Sequence, residues 1–242
     1  MRPAAALLRP VTRRLVYPSR STRLSPDGAS LHLTVGGTRL RGWEVNPGQR
    51  RGLVYFGGNG EGVHELREEL EQRFPHHTSY LLAYRGYGAS EGRPSERALV
   101  DDAVALLDHV AARHPEAPVD VIGRSLGSGV AVQAAVRRPV ERLVLVTPFD
   151  SLVAVAQDLF PRLPMARLVH DRYDSAAVAP RLQAQVLVLR AGRDELVRPP
   201  RTTRLLETLP GAPRVVDLRD ADHATLVADP AYWTAIADFL RP

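Results

Sequence analysis

The chain contains no cysteine, and none of its 32 basic residues is a lysine. Without cysteine there are no disulfides, no cysteine nucleophile, no thiolate zinc site and no iron–sulfur cluster. The same absence fits a reducing compartment, so a cytoplasmic location is the expectation. With every basic residue an arginine, beside abundant alanine and proline, the composition reads as a coding bias more than as selection for phosphate binding. Long apolar runs are also missing from the first residues: the longest, residues 4–8, is broken by Arg9 and Pro10. A secretory signal needs an apolar core of about 7–15 residues and a spanning helix about 20, so neither is expected there. Leu7, Leu8, Val11 and Leu15 fall at helical spacing between arginines, which would suit a weak surface-binding helix, but Pro10 argues against membrane contact.

Charge is distributed unevenly. The formal net charge of the 242 residues is +5, yet six arginines (Arg2, Arg9, Arg13, Arg14, Arg20, Arg23) precede the first acid, Asp27. Removing those six from 32 leaves 26 basic against 27 acidic residues from position 27 onward, a net of −1. The basicity thus belongs to an N-terminal arm, residues 1–26, and no nucleic-acid partner is expected for the nearly neutral body, residues 27–242. With 44% hydrophobic and 24% charged residues, that body is long enough to bury a sizeable core.

The body alternates between strand and helix patterns. Short alternating runs at 31–35 and 40–45 flank Gly36-Gly37, a hairpin signal. Apolar strands are expected at 52–56, 80–84, 119–122, 143–147, 186–190 and 215–218. Helices are expected at 64–74, 95–114, 127–136, 202–209 and 230–240, with Ser95 as an N-cap. Apolar strands separated by helices imply a parallel sheet covered on both faces. Residues 151–183, irregular and rich in Pro, Arg and Leu, interrupt the alternation and read as a small lid over the strand ends.

Chemistry in such sheets gathers at the carboxyl ends of the strands. After the strand at 119–122 stands Gly123-Arg124-Ser125-Leu126-Gly127, followed by a helix of small residues. This is a G-x-S-x-G nucleophile elbow in its supporting context, with Gly123 and Gly127 removing the side chains that would clash at a strained turn. The helix N-terminus it aims inward suits a developing oxyanion.

From about residue 25 to 240 the sequence resembles the α/β-hydrolase superfamily. The stretch Tyr84-Arg85-Gly86-Tyr87-Gly88-Ala89-Ser90-Glu91-Gly92-Arg93-Pro94-Ser95-Glu96 looks like the Y-R-G-Y-G-x-S-x-G-x-P-S-E run of one serine-hydrolase branch. The resemblance implies an α/β-hydrolase fold, with a mostly parallel sheet of about eight strands, helices on both faces and a small lid insert. Phe56-Gly57-Gly58-Asn59-Gly60-Glu61-Gly62 resembles the branch's H-G-N-x-G loop, with Gly57 where histidine is common. It implies backbone N–H groups of Asn59 and Leu126 as the oxyanion donors. A phosphate-cradling loop is the rival reading, but the stretch lacks both the Lys-Ser/Thr ending of a P-loop and the G-x-G-x-x-G spacing.

Of eight histidines, only His223 follows the last expected strand, where the general base should stand. The acid has two candidates: Asp194, in a stretch resembling the G-x-x-D-x-x-V signature, and Asp150, after an earlier strand. Asp194 is the favoured one, with Asp150 capping the start of the insert and Asp220 and Asp222 shaping the loop of His223. His76-His77 and Asp101-Asp102 read as solvated pairs. The expected activity is that of a metal- and cofactor-independent serine hydrolase acting on a small-molecule acyl ester or thioester, with Leu152, Leu159, Phe160, Leu163, Met165 and Leu168 forming an apolar acyl site. The alternatives are a serine peptidase, a haloperoxidase-like activity and a non-catalytic binding protein of the same fold.

Overall fold

Two glycines at positive φ, Gly36 at 53° and Gly37 at 77°, turn the chain between strands β1 (Leu31–Val35) and β2 (Thr38–Val45). The computed structural model describes residues 16–18, 22 and 28–241, so most of the N-terminal arm lies outside the described residues. From the hairpin the chain enters strand β3 (Arg51–Phe56), apolar after its first residue. A 3₁₀ turn (Val63–Leu66) and helix α1 (Arg67–Arg73) lead to β4 (His77–Leu82). Helix α2 (Glu96–Arg113) begins at Ser95, whose side chain caps it by accepting from the Ala98 N–H. Strand β5 (Asp120–Arg124), helix α3 (Leu126–Ala135) and strand β6 (Arg142–Val146) follow.

Residues 151–183 are more regular than the sequence pattern implies. They hold the short helices α4 (Leu152–Leu159), α5 (Met165–Leu168) and α6 (Ser175–Val178). Side-chain caps start two of them: Ser151 accepts from the Ala154 N–H and Asp174 from the Ala177 N–H. Pro161 and Pro164 lie between α4 and α5, and prolines hide helical periodicity by breaking it every few residues. The chain ends with β7 (Gln185–Ala191), α7 (Pro199–Leu206), β8 (Arg214–Leu218) and α8 (Pro230–Leu240). Helix α7 starts three residues before the expected 202, because Pro199 and Pro200 occupy its first turn, where a missing N–H costs nothing.

The eight strands form one sheet in the order β1-β2-β4-β3-β5-β6-β7-β8. Strand β2 runs antiparallel to both its neighbours, and all other pairings are parallel. The progression of strands reverses direction between the β3–β4 and β4–β5 connections. Since parallel crossovers are right-handed, this reversal puts α1 on one face and α2, α3 and α7 on the other. Helix α8 joins α1, with the rings of Phe74 and Trp233 in edge contact at 6.2 Å. Neighbouring strands β3 and β5 therefore send their following loops to opposite faces, which opens a crevice at their carboxyl ends.

Two charged positions that read as solvated are buried. Asp102 is 2% exposed and accepts a forked pair of bonds from Arg85 at 2.6 and 2.5 Å. His77 is also buried, its Nε2 lying 3.2 Å from Asp120 Oδ2. In both cases the partner comes from a different part of the chain, which local periodicity does not reveal. Asp101 and His76 are exposed, as expected. Among the described residues no helix is long and apolar enough to cross a membrane.

Candidate active site

Strand β5 delivers the chain into a sharp turn at Ser125, whose φ of 51° and ψ of −117° lie outside the regions a non-glycine residue normally adopts. The neighbouring glycines are required sterically. A Cβ on Gly127 would sit 2.0 Å from the Phe56 carbonyl oxygen, and one on Gly123 would sit 2.5 Å from that of Gly127. The close approach of the elbow to the end of β3 therefore depends on bare backbone at both positions. Ser125 itself is buried to 7% exposure, but its side chain opens into a cavity.

His223 lies in the loop after β8, between Asp222 and a 3₁₀ turn. Its Nε2 is 3.0 Å from Ser125 Oγ, and its Nδ1 is 2.7 Å from Asp194 Oδ2. The second oxygen of Asp194 accepts the N–H groups of Leu196 and Val197 at 2.9 and 2.7 Å. These bonds fix the buried carboxylate so that one oxygen stays free for the imidazole. Asp222 shapes the histidine loop by accepting from the N–H groups of Ala224 and Thr225, and these bonds hold its carboxyl below the usual range. Asp220 instead pairs with Arg193 on the surface.

Asp150 is not brought to the imidazole. It sits buried at the end of β6, where Arg201 donates to it at 3.1 Å. Nor does it cap the insert: that cap is Ser151. Burial raises the Asp150 carboxyl pKa, against the opposing pull of the Ser151 N–H and Arg201.

Opposite the elbow lies the loop after β3. Asn59 and Leu126 both line the cavity beside Ser125. The Leu126 N–H belongs to the first turn of α3, where no intrahelical acceptor exists. The tyrosine-rich stretch after β4 braces the loop from behind. Tyr84 donates its hydroxyl to the Gly57 carbonyl at 2.9 Å, and Tyr87 donates to Asn59 Oδ1 at 3.1 Å. Burial raises the pKa of both phenols well above the ordinary value, so they stay protonated donors. Glu61 holds the loop from within, accepting the Gly58 N–H at 2.5 Å and the Tyr55 hydroxyl at 2.8 Å.

The cavity measures about 150 Å³, and among the described residues its lining is apolar apart from Asn59 and Ser125. The insert contributes Leu152, Leu159, Phe160 and Met165, as expected, but Leu163 and Leu168 do not line it. Leu163 is 49% exposed, carried outward by the proline-bounded turn between α4 and α5. Seven wall positions escaped the sequence reading: Val155, Ala156 and Val169 within the insert, Phe149, Leu196 and Val197 outside it and, from the arm, Val16. Next to Val16, the buried Tyr17 hydroxyl lies 3.0 Å from that of Tyr173 in the insert. Among the described residues no group of three or more His, Asp or Glu side chains is arranged as a metal site.

An elbow serine, a histidine after the last strand and an acid after the strand before it, on this sheet, define an α/β-hydrolase. Comparison with known proteins agrees. Residues 64–176 match the family described as serine aminopeptidase, S33. An uncharacterized protein of Mycobacterium tuberculosis, MT2364, is 34% identical over 227 residues, covering 87% of this chain and 80% of the relative. The lysophosphatidylserine lipase ABHD12 of Mus musculus is 44% identical over 111 residues, 41% of this chain and 27% of that protein. Among solved structures, the Pyrococcus furiosus esterase Pf2001 superposes with a TM-score of 0.70 at 17% identity, covering 87% of this chain and 88% of its own. The chain belongs to the α/β-hydrolase superfamily and is an α/β-hydrolase enzyme.

Proposed function

We propose that the protein is a serine hydrolase that cleaves a carboxylic ester or thioester with an apolar acyl group. The observation that carries this reading is the relay from Asp194 through His223 to Ser125, with distances of 2.7 and 3.0 Å, opening onto an apolar cavity. Ser125 Oγ attacks the acyl carbonyl while its proton passes to His223 Nε2. Asp194 holds the imidazole by its Nδ1–H and stabilises the imidazolium. The N–H groups of Asn59 and Leu126 stabilise the oxyanion. Collapse of the tetrahedral intermediate breaks the bond to the alcohol or thiol, which leaves with the proton from His223. Water, deprotonated by the same histidine, then attacks the acyl-enzyme and releases the acid.

The esterase and lipase among its relatives favour ester chemistry. The family description favours a second reading, aminopeptidase cleavage. An aminopeptidase must bind a free α-ammonium group, and among the described residues no carboxylate lines this cavity, so the ester or thioester reading is preferred.

Labelling with a fluorophosphonate probe tests the proposal. The folded wild type should label and Ser125→Ala should not. A panel of acyl esters, acyl thioesters and aminoacyl amides then separates the two readings. A folded wild type that fails to label overturns both.

A further inference from the structure

A catalytic loop that carries a backbone oxyanion donor must hold its peptide planes still, because a donor displaced by a fraction of an ångström loses most of its effect. Here the loop is Gly57-Gly58-Asn59-Gly60, four residues that resist bending very little by themselves. Space beside Gly57 is already filled: a Cβ there would meet Val63 Cγ1 at 2.6 Å and Glu61 Oε2 at 3.5 Å. Val63 thus blocks the place into which a larger residue at position 57 would project, and the Glu61 carboxylate lies in van der Waals contact beside it.

That carboxylate is connected on three sides. Oε1 accepts from Tyr55, and Oε2 accepts the Gly58 N–H at 2.5 Å. Oε2 also lies 3.3 Å from Nη1 of Arg124, with the two side chains only 14% and 18% exposed. Arg124 is the residue between Gly123 and Ser125 in the elbow, and its Nη2 donates to the His223 carbonyl at 3.3 Å. One partly buried ion pair therefore ties together the loop of Asn59, the elbow of Ser125 and the loop of His223. At 3.3 Å both Arg124 contacts are longer than the usual charge-assisted bond, but the planar guanidinium holds its two partners at fixed angles.

We propose that Glu61, paired with Arg124, is the positioning residue of the oxyanion site. By binding the Gly58 N–H it withdraws that group from the cavity and leaves the next one, of Asn59, as the loop's donor. By binding Arg124 it sets that donor at a fixed distance from the Leu126 N–H on the far side of the elbow. Neither Glu61 nor Arg124 touches the acyl group in this role. The inference rests on the serine-hydrolase reading.

The test compares Glu61→Ala, Glu61→Gln and Arg124→Met with wild type, using a soluble ester and a trifluoromethyl ketone that forms a tetrahedral adduct. Removing one oxyanion donor costs roughly 10²–10³ in kcat, so misplacing one in Glu61→Ala should cost about 10- to 100-fold. KM should stay within about twofold, because ground-state binding is untouched. Affinity for the ketone should fall by the same factor as kcat, since adduct and transition state use the same donors. Glu61→Gln keeps an acceptor for Gly58 but loses the ion pair, and should fall between wild type and Glu61→Ala. A double variant, Glu61→Gln with Arg124→Met, should lose no more than the worse single one.

A folded Glu61→Ala or Glu61→Gln with wild-type kcat and ketone affinity overturns the proposal. So does a loss confined to KM. Should Glu61→Ala not fold, Glu61→Gln decides the matter. Fluorophosphonate labelling of the wild type is scored separately. If Ser125 labels and the Glu61 variants behave as wild type, only the positioning role falls; if Ser125 does not label, the hydrolase reading falls and takes this proposal with it.

Discussion

The buried hydroxyl of Tyr84 donates to the carbonyl oxygen of Gly57 across 2.9 Å, joining the tyrosine-rich stretch after β4 to the loop that faces the nucleophile. Tyr84→Phe removes this donor and leaves the buried carbonyl without it. Stability measured by urea unfolding should fall by about 1 kcal/mol. The proposed oxyanion role of the loop adds a kinetic effect, a roughly two- to tenfold drop in kcat at unchanged KM. A variant that loses stability with full kcat would show that the tyrosine serves folding alone.

His223 and His76 provide an internal comparison. His223→Ala should lower kcat by about 10⁴-fold or more, because His223 is the group hydrogen-bonded to Ser125 Oγ and takes its proton. His76 is exposed at the opposite, amino-terminal end of β4, and His76→Ala should leave turnover within about twofold. Comparable losses in steady-state kinetics would overturn the assignment of the base.

Acyl-chain preference should follow the cavity wall. Leu152→Ala, which removes wall atoms from a cavity of about 150 Å³, should move the optimum of a p-nitrophenyl ester series toward longer chains, as each extra buried CH₂ is worth about 0.8 kcal/mol. Val16→Trp should move it toward shorter ones. Leu163→Ala should not shift it, since that side chain is exposed and does not line the cavity. An unchanged optimum in both Leu152→Ala and Val16→Trp would rule the cavity out as the acyl site.

Asp102 offers a test of buried charge. Asp102→Ala removes the charge partner of Arg85, whose side chain is 15% exposed and keeps only neutral acceptors in Thr38 and the Val35 carbonyl among the bonds described, and should cost about 3 kcal/mol in chemical denaturation. A solvated Asp102 would have cost under about 0.5 kcal/mol, so the measurement separates the two placements directly.

The elements were legible to different depths for a physical reason. The elbow and the small-residue helix behind it announce themselves because steric exclusion at Gly123 and Gly127 acts over a few residues. The hairpin at Gly36-Gly37 and the amphipathic helix α2 are likewise local. The insert was not legible as helical, because its helices are short and depend on Ser151 and Asp174 as caps. Arg124 occupies the position that the G-x-S-x-G motif leaves unspecified, and Glu61 stands where the H-G-N-x-G run has its last glycine. Neither has a spacing that would draw attention before the two loops are brought together.

By itself the sequence determined the alternation of strand and helix, the strained serine and the order of serine, acid and histidine along the chain, all set by local sterics and hydrophobic period. Only the tertiary structure decided which acid meets the imidazole. Asp194 and His223 are 29 positions apart, and His223 and Ser125 are 98. Sheet order, which puts β5, β6, β7 and β8 side by side, brings them within hydrogen-bonding distance. The same long-range packing buried Asp102 and His77, carried Leu163 out of the cavity and brought Val16 into it. A pairing between distant residues is a property of the folded sheet, and no window along the chain contains it.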